Sequence, residues 1–258
     1  DTGAGERAYA LGHVPEARYA HLDRDLSAPV TPSTGRHPLP EPGELSRRLG
    51  IWGVGENTQV VVYDDSGGTM AVRLWWLLRW LGHGRVALLD GGWQKWVEEG
   101  LPISTGQPRA DMKKFTSRPN DDAWLATSEV RAALVDRSIL LLDARSAERF
   151  RGEQEPIDPV AGHIPGAANL PLQNNLRPDG RFRDAESLRA LYQEILGDRA
   201  AREVVHMCGS GVTACHNLLA MEVAGLHGSR LYAGSWSEWI RDPGRPVATG
   251  GPVTSRRG

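Results

Sequence analysis

The chain has 258 residues, a formal net charge of −2 at pH 7 and 40% hydrophobic residues. This length allows one large domain or two domains of about 130 residues each. The near-neutral charge gives no electrostatic reason to expect nucleic acid or an anionic membrane as a partner, and no apolar run approaches the roughly 20 residues of a membrane span. We therefore expect a globular protein that binds neither nucleic acid nor membrane.

The first half of the chain alternates short apolar runs with helical patterns, which is typical of an α/β fold with a mostly parallel sheet. Val60–Val62 predicts a strand that is buried on both faces, residues 70–81 predict a helix, and residues 85–89 predict the next strand. Residues 99–127 are rich in Pro, Gly and charge, and therefore predict a linker between domains.

The second half of the chain repeats the first. One constant offset aligns Gly68 with Gly211 and Trp93 with Trp236 without a gap. Two copies of this size indicate tandem domains, since solenoid repeats are shorter. The predicted divisions are a first domain over residues 1–105, a linker over 106–126, a second domain over 127–249 and a tail over 250–258.

Several shared residues have a structural interpretation. His13 and His163 lie in the same Gly-His-Val/Ile-Pro context in both copies, which predicts turn residues that hydrogen-bond to the backbone. The repeated tryptophans predict core packing; they are Trp93, Trp96, Trp236 and Trp239. The apolar strand predicted at residues 139–142 has no counterpart before His13. We therefore expect that a strand and a helix precede Asp1, or that the first sheet is one strand short.

Cys208 follows the apolar pair Val204-Val205 and precedes a short Gly/Ser loop and a helical pattern over residues 213–223. This order predicts a thiol at the carboxyl end of a strand, facing loop amides and a helix N-terminus. Both features favour negative charge, lower a cysteine pKa and produce a thiolate nucleophile. Gly209 and Gly211 flank Ser210, as expected where backbone amides must turn toward one point.

Cys215 lies seven positions after Cys208 and has a core-packing interpretation. A rise of about 1.5 Å per residue would separate the two by about 10 Å, beyond the roughly 7 Å that a disulfide spans. Free cysteines predict a reducing, cytoplasmic location. Under the offset, Asp65 takes the place of Cys208. An aspartate offers no thiolate, so the first domain is predicted to be silent and the second active.

The loop from Cys208 to Thr213 resembles the active-site loop of the 3-mercaptopyruvate sulfurtransferases, a branch of the rhodanese superfamily in which tandem domains are common. The resemblance implies two rhodanese-like α/β domains and a sulfur transfer through a persulfide on Cys208. The loop residues would bind substrate: Gly209, Gly211, Val212 and Thr213. The acceptor would be cyanide, a small thiol or a thioredoxin-like protein, and no cofactor or metal is implied.

The donor is predicted from the charge of the loop. Thiosulfate is a dianion, and thiosulfate-type rhodaneses carry cationic side chains directly after the cysteine, whereas Gly209 and Ser210 are neutral. A singly charged keto acid thiol such as 3-mercaptopyruvate fits better. A thiosulfate:cyanide sulfurtransferase that uses the same Cys208 is the alternative enzyme, and a non-catalytic rhodanese-like binding module is the alternative from another class.

The resemblance also implies further site residues. Arg149 matches the arginine that binds the donor carboxylate, Arg151 is a second candidate, and Ile157 stands where the family usually has another arginine. Asp23 and His37 match an aspartate and a histidine of the first domain that form a proton relay with the loop serine, Ser210 here, as in other triads.

Two other chemistries are disfavoured. A cysteine-dependent phosphatase needs an arginine where this chain has Ala214. A zinc site built from His206, Cys208, Cys215 and His216 matches no ligand spacing.

Overall fold

The structure is a computed structural model that describes residues 3–251. The chain divides into two compact units. Within the described range, the first unit takes residues 3–29, Leu39–Asn120 and Asp179–Arg181, and the second takes Val30–Pro38, Asp121–Pro178 and residues 182–251. The predicted tail falls mostly outside the described residues, at 252–258. No helix within residues 3–251 combines the length and apolarity needed to cross a bilayer.

The first unit is built around a small parallel sheet. Strands β1 and β2 pair in parallel, and helix α4 packs against both. The predicted helix and strands are confirmed at these positions. The elements are α1 (Ala4–Leu11), α2 (Leu22–Asp25), α3 (Pro42–Ile51), β1 (Val60–Val62), α4 (Ala71–Trp80), β2 (Val86–Leu88) and α5 (Gly92–Glu98).

The prediction that β1 is buried on both faces is wrong. Val62 is 5% exposed and Val61 is 54% exposed. Side chains alternate along a strand, so Val61 points away from the face on which Val62 packs, and that opposite face is open to solvent at this residue.

The second unit is an α/β layer structure with a five-stranded sheet in the order β3-β7-β6-β4-β5, and all its strand pairs are parallel. Leu141 and Val205 pack on one face, and Leu142 and Val204 on the other, so β4 and β6 are buried on both sides. The elements are β3 (Trp124–Leu125), α6 (Thr127–Val135), β4 (Leu140–Asp143), α7 (Ala147–Arg151), β5 (Ala168–Asn169), α8 (Ala185–Leu196), β6 (Val204–Met207), α9 (Ala214–Val223), β7 (Arg230–Tyr232) and α10 (Ser235–Trp239).

The predicted linker extends too far. A 3-10 turn over Asp121–Ala123 leads into β3, which pairs with β7, so the last residues of the predicted linker belong to the second sheet. A two-residue strand is too short to show the alternation by which strands are recognised.

The histidines of the repeated turn are structural, as predicted. In each case Nδ1 lies 2.8 Å from a backbone carbonyl oxygen, that of Tyr9 for His13 and that of Phe150 for His163. Each imidazole also stacks on the ring of that same aromatic residue. Trp236 and Trp239 are buried in the second core, whereas Trp93 and Trp96 are only half-buried.

Candidate active site

Cys208 lies directly after the end of β6, and its thiol side chain is buried at 1% exposure. β6 has β7 on one side and β4 on the other, so the cysteine stands at the carboxyl edge of the middle of the sheet. The substrate-binding residues predicted from the sequence fill the loop between β6 and α9. The carboxyl edge of a parallel sheet is where α/β proteins bind ligands.

The loop requires glycine at position 211. Gly211 has φ +76°, and a Cβ there would lie 2.3 Å from the carbonyl oxygen of Ala233. Any side chain would therefore force the loop away from β7. In the described part of the chain, the backbone N–H groups of Ser210, Val212 and Thr213 make no hydrogen bond. These three donors are open to an anion at the loop.

The polar groups of the Cys208 backbone are held by the start of α10. The Trp236 N–H donates to the Cys208 carbonyl (3.1 Å) and the Ser237 N–H donates to the Gly209 carbonyl (2.8 Å). The Cys208 N–H donates to Ser235 Oγ (3.1 Å), and that hydroxyl donates to the Tyr232 carbonyl (2.9 Å). The loop carbonyls are thus satisfied by neighbouring backbone.

Ser235 adopts an unfavourable conformation to do this. It has φ +52° and is fully buried. The same turn in the first unit has Gly92, with φ +56°, at the position that the repeat aligns with Ser235. A left-handed conformation costs a residue with a Cβ roughly 1–2 kcal/mol. The second unit therefore bears a strain that glycine would avoid, and it gains a hydroxyl that bridges Cys208 and β7.

Ser210 and His37 are in contact. His37 Nδ1 lies 2.7 Å from Ser210 Oγ, and Ser210 is buried at 7% exposure. The segment Val30–Pro38 belongs to the second unit, so the serine and the histidine are both parts of the compact body that holds Cys208. Asp23 lies in α2 of the first unit, where its N–H donates to His21 Nδ1. Its participation in a relay stays a prediction.

Arg149, in the middle of α7, lies beside the loop. Its Nη2 bonds to Glu155 Oε1 (2.7 Å) and to Asp158 Oδ2 (3.3 Å). The Cβ of a side chain at Gly209 would stand 3.6–3.7 Å from the two Nη atoms of Arg149. The predicted carboxylate-binding arginine therefore borders the residue after the cysteine.

Arg151 has different partners. Its Nε donates to Glu153 (2.7 Å), its guanidinium lies 4.0 Å from Glu148, and its side chain is 35% exposed. Its side-chain ion pairs are therefore with surface carboxylates. Binding of the donor by Arg151 stays a prediction. Ile157 is 58% exposed and contributes only its N–H, which donates to Glu155 Oε1.

The sequence reasoning missed Arg36. Its Nη1 pairs with Asp158, and its Nη2 is 2.9 Å from the position that a Gly209 Cβ would take. The residue immediately precedes His37, which was the one available signal. A lone arginine in a loop has no periodicity, and only the fold brings it to the cysteine loop.

Buried carboxylates hold these arginines in place. Arg145 bonds to Asp143 (2.7 Å) and to Glu155 (3.4 Å), and its guanidinium lies 4.8 Å from the centre of the Trp236 ring. Burial raises the pKa of Glu155, but hydrogen bonds from Arg149 and from two backbone amides outweigh it and lower the pKa. Burial raises the pKa of Asp158, while Arg36 opposes the rise.

The two histidines of the disfavoured zinc site contact other residues. His206 is completely buried, with Nε2 3.1 Å from Met221 Sδ, and burial lowers its pKa to about 3. His216 Nδ1 lies 3.0 Å from Asn175 Nδ2, and its ring stacks on Phe182. Among residues 3–251, no three His, Cys, Asp or Glu side chains form a group that could hold a metal ion.

The equivalent loop of the first unit is closed by Asp64. Its Oδ1 accepts from the N–H groups of Ser66 (2.9 Å) and Gly68 (2.8 Å), and its Oδ2 accepts from those of Met70 (2.8 Å) and Ala71 (2.9 Å). The carboxylate thus fills the concave side of the loop at the start of α4. An anion at such a place is stabilised by the amides and by the helix N-terminus.

Asp64, and not Asp65, occupies the position of Cys208. The Trp93 N–H donates to the Asp64 carbonyl, as the Trp236 N–H donates to the Cys208 carbonyl. Strand pairing agrees, since Val62 is opposite Leu88 and His206 is opposite Leu231. The first loop is one residue longer than the second between this position and the marker glycine, Gly68 or Gly211. The gapless alignment is therefore wrong at this point, because its marker residues all lie after the extra residue.

Comparison with known proteins identifies the family. The rhodanese-like domain is matched twice, over residues 4–99 and 126–242. The chain belongs to the rhodanese family. The expected fold of two tandem rhodanese-like α/β domains is thereby confirmed.

Three relatives illustrate the similarity. A Pseudomonas aeruginosa protein named "Probable 3-mercaptopyruvate sulfurtransferase" is 50% identical over 252 residues, covering 97% of this chain and 89% of that protein. The thiosulfate sulfurtransferase of Rattus norvegicus is 34% identical, covering 93% of this chain and 81% of that protein. The solved structure of 3-mercaptopyruvate sulfurtransferase from Leishmania major matches with a TM-score of 0.80 and 34% identity, covering 93% of this chain and 68% of that one.

Proposed function

We propose that this protein is a sulfurtransferase that moves a sulfane sulfur from 3-mercaptopyruvate, through a persulfide on Cys208, to a thiol acceptor or cyanide. The observation that carries the proposal is the contact of 2.7 Å between His37 and Ser210, two residues after a buried cysteine. The neutral residues Gly209 and Ser210 favour a singly charged donor. Relatives named for this activity support the same conclusion.

In the first half-reaction, the Cys208 thiolate attacks the thiol sulfur of the donor. An S–S bond forms and the C–S bond breaks, with its electron pair leaving on carbon as the enolate of pyruvate. The proton of the donor thiol ends on that carbon and gives pyruvate. The persulfide anion that remains on Cys208 is stabilised by the open loop amides and by the start of α9.

The proton transfer needs a group that can both accept and donate. The Ser210 hydroxyl can do this, since it has one proton and two lone pairs. His37 extends the path, because an imidazole exchanges protons near neutral pH. We propose that Asp23 fixes the tautomer of His37, as the third member of a relay.

In the second half-reaction, an acceptor thiolate or cyanide attacks the outer sulfur. The S–S bond breaks, its electron pair returns to Cys208 as a thiolate, and the acceptor leaves as a persulfide or as thiocyanate. We propose a small thiol or a thioredoxin-like protein as the acceptor, and a reducing cytoplasm as the location, because both cysteines are free.

The two halves of the chain have different roles in this proposal. The domain over residues 1–105 is silent in this proposal, and the second domain is catalytic. The second domain ends at residue 249 and begins before the expected residue 127, since Asp121–Ala123 leads into β3 of its sheet. Asp64 fills the first loop with a carboxylate that cannot carry sulfur, and this supports the silence of the first domain.

The alternative donor is thiosulfate, which one similar protein is named for. The two donors are separated by measuring pyruvate release and sulfite release side by side. The variants are Cys208→Ser and the matched control Cys215→Ser, which changes a buried cysteine that lies in α9, beyond the loop.

We expect faster turnover of 3-mercaptopyruvate, lost in Cys208→Ser and retained in Cys215→Ser. Preference for thiosulfate would keep the nucleophile and reject the charge reasoning. Absence of both products from the wild-type full chain would favour the non-catalytic binding module.

A further inference from the structure

Two guanidinium groups border the residue after the cysteine. A Cβ on Gly209 would lie 2.9 Å from Arg36 Nη2 and 3.6 Å from Arg149 Nη2. Cys208 itself is buried, and the Arg36 side chain is 29% exposed. Both guanidinium groups therefore lie within reach of a donor that is bound beside Gly209.

Arg36 is held at the loop by its own backbone. Its N–H donates to Ser237 Oγ (3.0 Å), and the Ser237 N–H donates to the Gly209 carbonyl (2.8 Å). The preceding Gly35 allows the close approach, because a Cβ there would lie 2.7 Å from the Gly234 carbonyl oxygen and 2.8 Å from Ser237 Oγ. The position of Arg36 is thus fixed by its hydrogen bond to Ser237 and by the missing side chain at Gly35.

One carboxylate orients both arginines. Asp158 is buried and pairs with Arg36 Nη1 through Oδ1 and with Arg149 Nη2 through Oδ2. In the described part of the chain, Arg36 Nη2 and Arg149 Nη1 make no hydrogen bond. Each guanidinium therefore keeps one N–H hydrogen-bond donor on the side of Gly209. Two such donors match the two oxygens of a carboxylate.

We propose that Arg36 is a specificity residue that binds the carboxylate of the sulfur donor together with Arg149. The inference extends the proposed function, because it assigns the donor anion a second contact. Arg36 selects for sulfur donors that carry an anionic group. Asp158 offsets part of the positive charge of the two arginines, so a donor with a single negative charge is sufficient for binding.

The test uses reagents that report on anion binding without sulfur transfer. Iodoacetate and iodoacetamide alkylate the same thiol and differ in charge. Second-order rate constants at Cys208 are measured for the full chain by peptide mass spectrometry, which separates Cys208 from Cys215. The variants are Arg36→Gln, Arg36→Lys and the matched control Arg199→Gln, a half-buried arginine of the second unit whose guanidinium donates to the Arg137 carbonyl.

We expect Arg36→Gln to lower the ratio of the iodoacetate rate to the iodoacetamide rate roughly tenfold, as for one lost charged hydrogen bond at a partly exposed site. Arg36→Lys keeps the charge without the fork and should fall between. Arg199→Gln should match the wild type. In turnover, Arg36→Gln should raise KM for 3-mercaptopyruvate about tenfold and change kcat by less than about threefold.

An unchanged ratio in Arg36→Gln, or equal loss of both alkylation rates, would overturn the role of Arg36. Near-UV circular dichroism shows whether the variant is folded, and Arg36→Lys decides the question if Arg36→Gln is not. A lowered ratio in a protein that transfers sulfur from neither donor would keep the anion site and reject the proposed function. Normal turnover with an unchanged ratio would do the reverse.

Discussion

Ser235 allows a quantitative test of how the cysteine loop is held. Its hydroxyl is the acceptor for the buried Cys208 N–H, and its φ of +52° is one that glycine adopts freely. Ser235→Ala removes the hydroxyl and keeps the strain. Ser235→Gly removes both.

The expected order of stability follows from these two terms. A buried N–H left without an acceptor costs about 1–3 kcal/mol. Relief of the left-handed conformation returns about 1–2 kcal/mol, less about 0.4–1 kcal/mol for the greater freedom of glycine in the unfolded chain. At the midpoints of these ranges, Ser235→Gly should be less stable than the wild type by about 1.2 kcal/mol, and Ser235→Ala should be less stable again by about 0.8 kcal/mol.

Urea unfolding, followed by tryptophan fluorescence, gives the order of midpoints. The rate at which iodoacetamide alkylates Cys208 reports whether the loop has moved, and it should change in both variants alike, since both lose the hydroxyl. A Ser235→Ala protein as stable as Ser235→Gly would refute the strain, and two variants as stable as the wild type would refute the bridging hydrogen bond.

Three further outcomes are expected. Gly211→Ala should lose about 1–3 kcal/mol of stability and most of its sulfurtransferase activity, because its Cβ would lie 2.3 Å from the Ala233 carbonyl oxygen and its φ is +76°. Urea unfolding measures the stability and pyruvate release measures the activity. Full activity of this variant would contradict the clash. His206, with a pKa lowered to about 3, stays neutral while the unfolded chain takes up a proton there below about pH 6.5, so this histidine should contribute a loss of about 1.4 kcal/mol per pH unit from there toward pH 3. His206→Leu should show a flatter profile in the same unfolding measurement, and an unchanged slope would exclude His206 as the cause. Glu155 has a lowered pKa, so its carboxylate stabilises the fold above the unfolded-state pKa of about 4.3, and this stabilisation is lost as pH falls through the folded-state pKa. Glu155→Gln should therefore be less stable than the wild type at pH 7, and the difference in unfolding free energy should disappear in acid.

The sequence predicted the parts of the second domain that depend on local pattern. The apolar runs at β4 and β6, the loop with Gly209 and Gly211, and the helix that follows are where the pattern placed them. In these elements, burial and backbone conformation restrict the residue types directly, so periodicity and glycine spacing are informative.

The remainder depends on contacts between distant residues. Arg36 reaches Gly209 through a packing of loop on loop that leaves no trace in spacing. The sequence alignment matched Cys208 with Asp65 instead of Asp64, because the glycines and tryptophans that fix the alignment all lie after the extra residue of the first loop. Strand pairing between Val62 and Leu88 was needed to place it.

The carboxylate of Asp64 permanently occupies the loop after β1. Four backbone N–H groups donate to its two oxygens at 2.8–2.9 Å, so the Asp64 side chain holds the turn from β1 to α4 in place. A persulfide also ends two atoms from its Cβ in a negative charge. The loop after β1 therefore holds a carboxylate permanently, whereas the loop after β6 would hold a persulfide anion only between its formation from the donor and its attack by the acceptor. The first turn is thus closed by its own side chain, whereas we propose that the loop after β6 holds an anion only during turnover.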